Sequence, residues 1–291
     1  MSQPSSLPIA ARSAAALVEP ASVHPVLDPV VRSFLDRWDE RLPGALDAPS
    51  EAVGSTRLAP DCVLVRPAFA EARLPLFLYL AGTPEHAGLR TPALQALAEC
   101  AGVAVLELAV SGGVQVADLQ ETLDARIAAA AEDQAIGADC IAIGGDGLGA
   151  MLALQLALAG GNYRLLVMAT PVLGTPAQGR GDAWMPRDRA AALAATPGMI
   201  EPGRIAAGAA VLPPVLILTA EADPFRDAAE ALARTLMRQD AEVSAVRFLG
   251  TIHDFTWLPP LRDASASIEA CQLVAGALRQ RLHTPAWQQA G

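Results

Sequence analysis

Short, continuous apolar runs alternate with segments of helical periodicity along most of the chain from residue 60 onward. Runs such as 74–80 are typical of strands that are buried on both faces of a sheet. The predicted strands cover residues 62–65, 74–80, 103–110, 139–144, 165–169, 215–219 and 243–248, and the predicted helices cover 91–102, 116–133, 149–158, 227–238 and 264–281. This regular order predicts an α/β fold built on a mostly parallel, doubly wound sheet.

Two segments are not needed to build that sheet. Asp28 and Pro29 have the character of an N-cap and first helical residue, so a helix is predicted to follow them. Residues 172–208 are rich in Gly, Pro, Arg and Asp and are predicted to be irregular. We therefore expect one domain over residues 1–291, with a small cap formed by about 24–45 and 172–208 above the carboxyl edge of the sheet.

Three loops at predicted strand ends contain residues that could take part in catalysis. The first, 144–149, reads GGDGLG and lies between a strand and an Ala/Leu-rich helix, which is the context of a G-x-S-x-G nucleophile elbow. Its central residue is Gly147 rather than serine. The other two loops contain Asp223 and His253, and the order elbow, Asp, His is that of hydrolases with this type of sheet.

Over about residues 24–281 the chain resembles the hormone-sensitive-lipase-like branch of the α/β-hydrolase superfamily. The matching stretches are HPVLDPVVRSFLDRW, LPLFLYLAG, IAIGGDGLGAMLALQLAL, LILTAEADPFRDAAEALARTL and FLGTIHDF. The resemblance implies an α/β-hydrolase fold with a small helical cap. It also implies that Asp223 is the acid and His253 the base of a catalytic triad, with an imidazole pKa near neutrality.

The departures from that family concern the chemistry directly. Gly147 stands where the family has its serine, so no acyl-enzyme can form at this residue. The family's His-Gly-Gly-Gly oxyanion loop corresponds to 81–84, which reads AGTP, and Pro84 has no N–H to donate. The conventional serine-hydrolase reaction is therefore not expected.

Further residues are candidates for an oxyanion or ligand-binding role around the former nucleophile position. Three of them also have a structural interpretation, which is favoured for Asp146 as a structural residue and for His86 as a surface-loop histidine, and which stands level for Trp184 as a core-packing residue. The candidates are Gly82, Thr83, Leu148, His86, Asp146 and Trp184.

Composition and charge limit the classes of partner and cofactor that are expected. The net charge is −10 and every basic residue is arginine, without basic clusters, so nucleic acid is not an expected partner. No segment resembles a secretory signal or a membrane span, so a cytoplasmic location is expected. Neither metal-ligand spacing nor a phosphate-binding glycine loop is visible, and we expect no metal and no cofactor. The resemblance is consistent with a homodimer that forms through the last helix.

Three functional hypotheses follow. The favoured one, because Asp223 and His253 are both present, is an enzyme of lyase, cyclase or dehydratase type that performs non-covalent acid–base chemistry on a small carbonyl or ester-like metabolite. In the second, His253 activates a water molecule that hydrolyses an ester, lactone or thioester. In the third, the protein is a catalytically silent pseudoenzyme that binds a small molecule or a partner.

Overall fold

The computed structural model describes residues 25–38, 54–68, 73–82, 89–132, 135–177, 184–197, 205 and 209–283. The strands are β1 (Ser55–Ala59), β2 (Cys62–Val65), β3 (Leu74–Ala81), β4 (Ala104–Ala109), β5 (Ile136–Asp146), β6 (Leu166–Ala169), β7 (Val215–Ala222) and β8 (Val243–Ile252). The helices are α1 (Pro29–Arg37), α2 (Thr91–Ala101), α3 (Val116–Ala131), α4 (Gly147–Leu158), α5 (Arg187–Ala194), α6 (Arg226–Met237) and α7 (Ser265–Leu282).

The eight strands form one sheet in the order β1-β2-β4-β3-β5-β6-β7-β8. The hairpin β1–β2 is antiparallel, and so is the β2–β4 pair, while all other neighbours are parallel. Every residue of β3 is buried, as its continuous apolar run predicts for a central parallel strand. The prediction of a mostly parallel α/β sheet is confirmed.

Helices cover both faces of the sheet, which gives two hydrophobic cores. Side chains of α1, α2 and α7 pack against one face, and those of α3, α4 and α6 pack against the other. This is the doubly wound arrangement, and it places the carboxyl ends of the parallel strands along one shared edge. No helix in the described ranges is both long enough and apolar enough to cross a membrane.

Some element boundaries differ from the predicted ones. The strand β1 was not predicted, because its STRLA sequence is short and mostly half-exposed at the edge of the sheet. Helix α5 lies inside the segment predicted to be irregular. Of the predicted cap, residues 25–38, 172–177, 184–197 and 205 are described, and the rest lies outside the described residues.

The amino end of α1 is bound to the last residues of β8, just before His253. The Asp28 carboxylate accepts a hydrogen bond of 2.8 Å from the Val30 N–H, which is the predicted N-cap. The Asp28 N–H donates to the Gly250 carbonyl oxygen, also at 2.8 Å. Helix α1 therefore begins next to a residue that precedes His253 by three positions, although the two segments are more than 200 positions apart in sequence.

Candidate active site

Gly147 lies at a sharp turn between the end of β5 and the start of α4. Its φ angle is +49°, in the left-handed region that side chains other than glycine adopt at a cost. A Cβ atom built at Gly147 would lie 3.9 Å from His253 Nε2 and 3.8 Å from Val172 Cγ2. A side chain at this position would thus face the imidazole, and glycine presents no hydroxyl there.

The start of α4 is in backbone contact with β3. A Cβ at Gly149 would lie 2.0 Å from the Leu80 carbonyl oxygen, which is too close for any side chain. Glycine at this position therefore allows the helix to sit directly on the central strand. This contact fixes where Gly147 and Leu148 stand relative to the rest of the site.

His253 and Asp223 follow the last two strands and meet at the carboxyl edge of the sheet. His253 Nδ1 lies 2.9 Å from Asp223 Oδ2, and both side chains are about 98–99% buried, with exposures of 2% and 1%. The second carboxylate oxygen of Asp223 accepts a 2.8 Å hydrogen bond from the Phe225 N–H. The carboxylate is thereby fixed on two sides and orients the ring so that Nε2 faces Gly147.

A second carboxylate, which the sequence analysis missed, contacts the other ring nitrogen. Asp254 Oδ1 lies 3.5 Å from His253 Nε2. Its oxygens accept hydrogen bonds from the indole N–H groups of Trp257, at 3.2 Å, and Trp184, at 3.3 Å. The HDF sequence at 253–255 contains this aspartate, but side chains of adjacent residues usually diverge, so its position was no signal of contact.

The pKa of His253 is higher than the value near neutrality that the sequence analysis expects. Burial by itself lowers the pKa of His253, but the charges of Asp223 and Asp254 raise it, and the net result is a pKa of about 9. The ring is therefore a cation at neutral pH. In this state it can donate a proton from Nε2 but cannot accept one there.

Asp146 is the centre of a buried polar cluster beneath the turn. Its carboxylate accepts hydrogen bonds from the Tyr79 hydroxyl at 3.0 Å and the Gly82 N–H at 2.8 Å. It also forms a buried ion pair with Arg90, whose side chain is 0% exposed and lies over the Trp257 ring at 4.2 Å. Arg90 precedes α2 and carries no recognisable motif, so the sequence analysis did not identify it.

These contacts show which of the other predicted ligand-binding residues are available to a ligand in this structure. The Gly82 N–H is directed at Asp146, so it is not an available oxyanion donor in this structure, and Asp146 has structural partners on both oxygens. Trp184 packs against Phe34 and Trp38, and it contacts the site through Asp254 and Arg189. Thr83 and His86 lie outside the described residues.

A small cavity, with room for about one water molecule, lies between the turn at Gly147 and α5. Its described lining contains no hydroxyl or thiol side chain. Helix α5 and the residues just before it cover one side of the cavity. The lining residues are Gly82, Asp146, Gly147, Leu148, Val172, Met185, Arg189, Leu193, His253 and Asp254. Within the described ranges, no group of three or more His, Cys, Asp or Glu side chains is arranged to bind a metal ion.

Comparison with known proteins agrees with this architecture. A sequence profile of a family described as alpha/beta hydrolase fold matches residues 113–257. A protein of Acanthamoeba polyphaga mimivirus, named as an alpha/beta hydrolase, is 39% identical over 74 residues, which cover 25% of this chain and 21% of the viral protein.

Solved structures of esterases share the fold over most of their length. A thermostable esterase from Pseudomonas putida ECU1011 is 19% identical with a TM-score of 0.73, covering 90% of this chain and 99% of that one. Carboxyl esterase 2 from the fungus Tuber melanosporum is 20% identical with a TM-score of 0.66, covering 88% and 100%. An esterase from the archaeon Pyrobaculum calidifontis is 21% identical with a TM-score of 0.66, covering 88% and 98%. This chain therefore has the α/β-hydrolase fold, the fold of these esterases.

Proposed function

We propose that this protein is an enzyme of lyase, cyclase or dehydratase type that performs non-covalent acid–base chemistry on a small carbonyl compound. The observation that supports the proposal is the orientation of His253: Asp223 binds Nδ1 at 2.9 Å, and Nε2 faces Gly147, which the elbow pattern of the sequence assigns to the nucleophile position. Because glycine cannot form a covalent intermediate, the chemistry left to the site is proton transfer.

In this proposal His253 is the proton donor and Asp223 orients the ring. The cationic imidazole would give its Nε2 proton to a carbonyl oxygen or to a departing hydroxyl of the substrate, and a neutral ring hydrogen-bonded to Asp223 would remain. In an elimination, the substrate's α-proton would pass to a water molecule, and the hydroxyl would leave as water. A positioned general acid or base contributes roughly 10²–10⁴-fold in rate. That range is sufficient for eliminations whose substrates are already activated by a carbonyl group.

The first test replaces His253 with glutamine, which keeps hydrogen-bonding capacity but cannot donate a proton as a cation. Dehydration and α-proton exchange of a panel of β-hydroxy ketones and β-hydroxy esters would be followed by proton NMR in D2O. We expect a turned-over compound whose rate falls about 10²–10⁴-fold in His253→Gln, while His283→Gln, at the end of α7, retains the rate. Equal rates in His253→Gln and the unaltered protein would contradict the proposal.

Water-mediated ester hydrolysis is the second candidate, and the cavity favours it. The space between Gly147 and His253 Nε2 accommodates about one water molecule, and the fold is shared with esterases. Here His253 would have to be the base that removes a proton from that water. The third hypothesis, a silent binding protein, predicts no turnover of either compound class.

The pH dependence separates the two catalytic roles. Because the pKa of His253 is about 9, a reaction that needs the ring as proton donor keeps its rate at neutral pH and loses it as the pH rises through 9. A reaction that needs the ring as base does the opposite and accelerates as the pH rises toward 9. Initial rates between pH 6 and 10 with a β-hydroxy ketone and with p-nitrophenyl acetate measure both profiles.

Restoring a serine tests the assignment of the turn. Gly147→Ser fits the available space, since the nearest atoms to a Cβ are 3.8 and 3.9 Å away, but the positive φ should cost about 1–3 kcal/mol of stability. We expect weak labelling by a fluorophosphonate probe that increases toward pH 9, because His253 must lose its proton to act as base and the Gly82 N–H is already bound to Asp146.

The control for that variant is Gly147→Ser combined with His253→Gln, which should not be labelled. The unaltered protein should not be labelled at this turn either. Robust esterase turnover by Gly147→Ser at pH 7 would contradict the account of both the charged imidazole and the occupied Gly82 donor.

A further inference from the structure

We propose that Asp254 is a positioning residue of this site: its carboxylate stabilises the charged form of the His253 imidazole at ion-pair distance from Nε2, while Asp223 is hydrogen-bonded to Nδ1. The inference rests on the proposed function in one respect: it specifies which form of His253 the reaction uses. With a carboxylate beside each ring nitrogen, the imidazole is kept as a proton donor. The ligand must then present an acceptor oxygen to Nε2, such as a carbonyl, a hydroxyl or a carboxylate.

The backbone conformation is the first support. Asp254 has a φ angle of +67°, which is uncommon for a residue other than glycine, although aspartate and asparagine tolerate it best. In extended backbone, adjacent side chains point to opposite sides. Here the left-handed conformation accompanies a 3.5 Å approach between the two neighbouring side chains, Oδ1 of Asp254 and Nε2 of His253.

The partners of the Asp254 carboxylate are the second support. The side chain is 5% exposed, and its hydrogen-bond donors are the two indole N–H groups of Trp184 and Trp257. Indoles carry no charge and leave the carboxylate uncompensated. Within the described residues, the salt-bridge contact of Asp254 is with His253, and a buried carboxylate needs such an opposite charge.

Other charged groups also lie near His253. Asp223 contacts Nδ1 from the loop after β7, and Asp146 faces the ring from the end of β5 but is neutralised by Arg90. Arg189 lines the cavity from α5 and stacks toward the Trp184 ring at 5.8 Å. The imidazole thus lies between two carboxylates that have no other cation in salt-bridge contact among the described residues.

The alternative is that Asp254 merely connects the two indoles and has no influence on His253. The experiment is an NMR titration of the imidazole, which needs no substrate, so its outcome is independent of whether the proposed reaction is found. The chain has four histidines, and the His253 signal is identified by its disappearance in His253→Gln. Asp254→Asn is the test variant, because asparagine keeps the preference for positive φ and an acceptor oxygen but removes the charge.

We expect the pKa of His253 to fall by about 1 unit or more in Asp254→Asn, since an opposite charge at this distance is worth about 1–3 units. Asp263→Asn is the matched control: it removes the same charge from an exposed pair with Arg262 and should leave the His253 titration in place. Equal His253 titrations in Asp254→Asn and the unaltered protein would overturn the proposal.

A second pair of variants tests the proposal even if Asp254→Asn does not fold. Trp184→Phe and Trp257→Phe each keep an aromatic ring but remove one hydrogen bond to the Asp254 carboxylate, which then attracts the imidazole proton more strongly. The pKa of His253 should therefore rise in both variants. No change in either would show that the carboxylate does not act on His253, and would also overturn the proposal.

Discussion

Replacing Arg90 with methionine should lower the free energy of unfolding by about 3–5 kcal/mol, because it leaves a buried carboxylate without its cation. Arg90 is fully buried, and it binds both oxygens of Asp146 while its guanidinium covers the Trp257 ring. Methionine fills much of the same volume, so the loss reports on the charge rather than on a cavity. Urea unfolding at pH 7 measures the difference.

The matched control is Arg73→Met, which removes an arginine whose ion pair with Asp139 is 4.0 Å long and exposed on both sides. That change should cost no more than about 1 kcal/mol. Combining Arg90→Met with Asp146→Asn removes both charges and should recover part of the stability lost in Arg90→Met alone. An Arg90→Met protein as stable as Arg73→Met would refute a structural role for the buried pair.

Replacing Glu107 with glutamine should have the opposite effect and stabilise the protein at alkaline pH. Glu107 lies on β4 opposite Tyr79 and is 3% exposed, and neither carboxylate oxygen has a hydrogen-bond donor among the described residues. Burial raises the pKa of this carboxyl group from 4.5 to about 7, although nearby Arg90 opposes the shift.

The sign of the pH effect follows from which state carries the proton. Between about pH 4.5 and 7 the folded protein retains the Glu107 proton while the unfolded chain releases it, so stability is lost as the pH rises through that range. A shift of this size corresponds to about 3 kcal/mol above pH 7. Glu107→Gln should therefore be more stable than the unaltered protein by about that amount at pH 8 and equally stable near pH 4.

Thermal unfolding at several pH values checks this expectation. Glu121→Gln on the exposed surface of α3 is the control, and its stability should follow that of the unaltered protein at every pH. If Glu107→Gln showed the same pH dependence as the control, the carboxyl group would have to be ionised without penalty, contrary to its burial.

The parts of the fold that depend on local pattern could be predicted from the sequence. The run 74–80 reveals β3 because a strand buried on both faces needs apolar residues at every position. The positions of Asp223 and His253 at neighbouring strand ends follow from the topology of a parallel sheet, and the structure places the two side chains 2.9 Å apart.

The parts of the fold and of the site that depend on contacts between residues distant in sequence could not be predicted. Arg90 and Asp146 are 56 positions apart, and nothing near either residue indicates a buried ion pair. The pKa of His253 is higher than expected for a related reason: the expectation included Asp223 but not Asp254, whose position accompanies one unusual backbone angle. Strand β1 was missed because an exposed edge strand has no apolar run to reveal it.

The hydrogen bond between Trp184 and Asp254 also gives the molecule an internal optical reporter. The indole ring is packed against Phe34 and Trp38, and its N–H is bound to a buried carboxylate. Any displacement of that ring exchanges a fixed, charged neighbour for solvent, which changes both its emission wavelength and its near-ultraviolet circular dichroism. The chain has four tryptophans, so a ligand-induced change is assigned to Trp184 by its loss in Trp184→Phe. Ligands can be screened in this way before any turnover has been found.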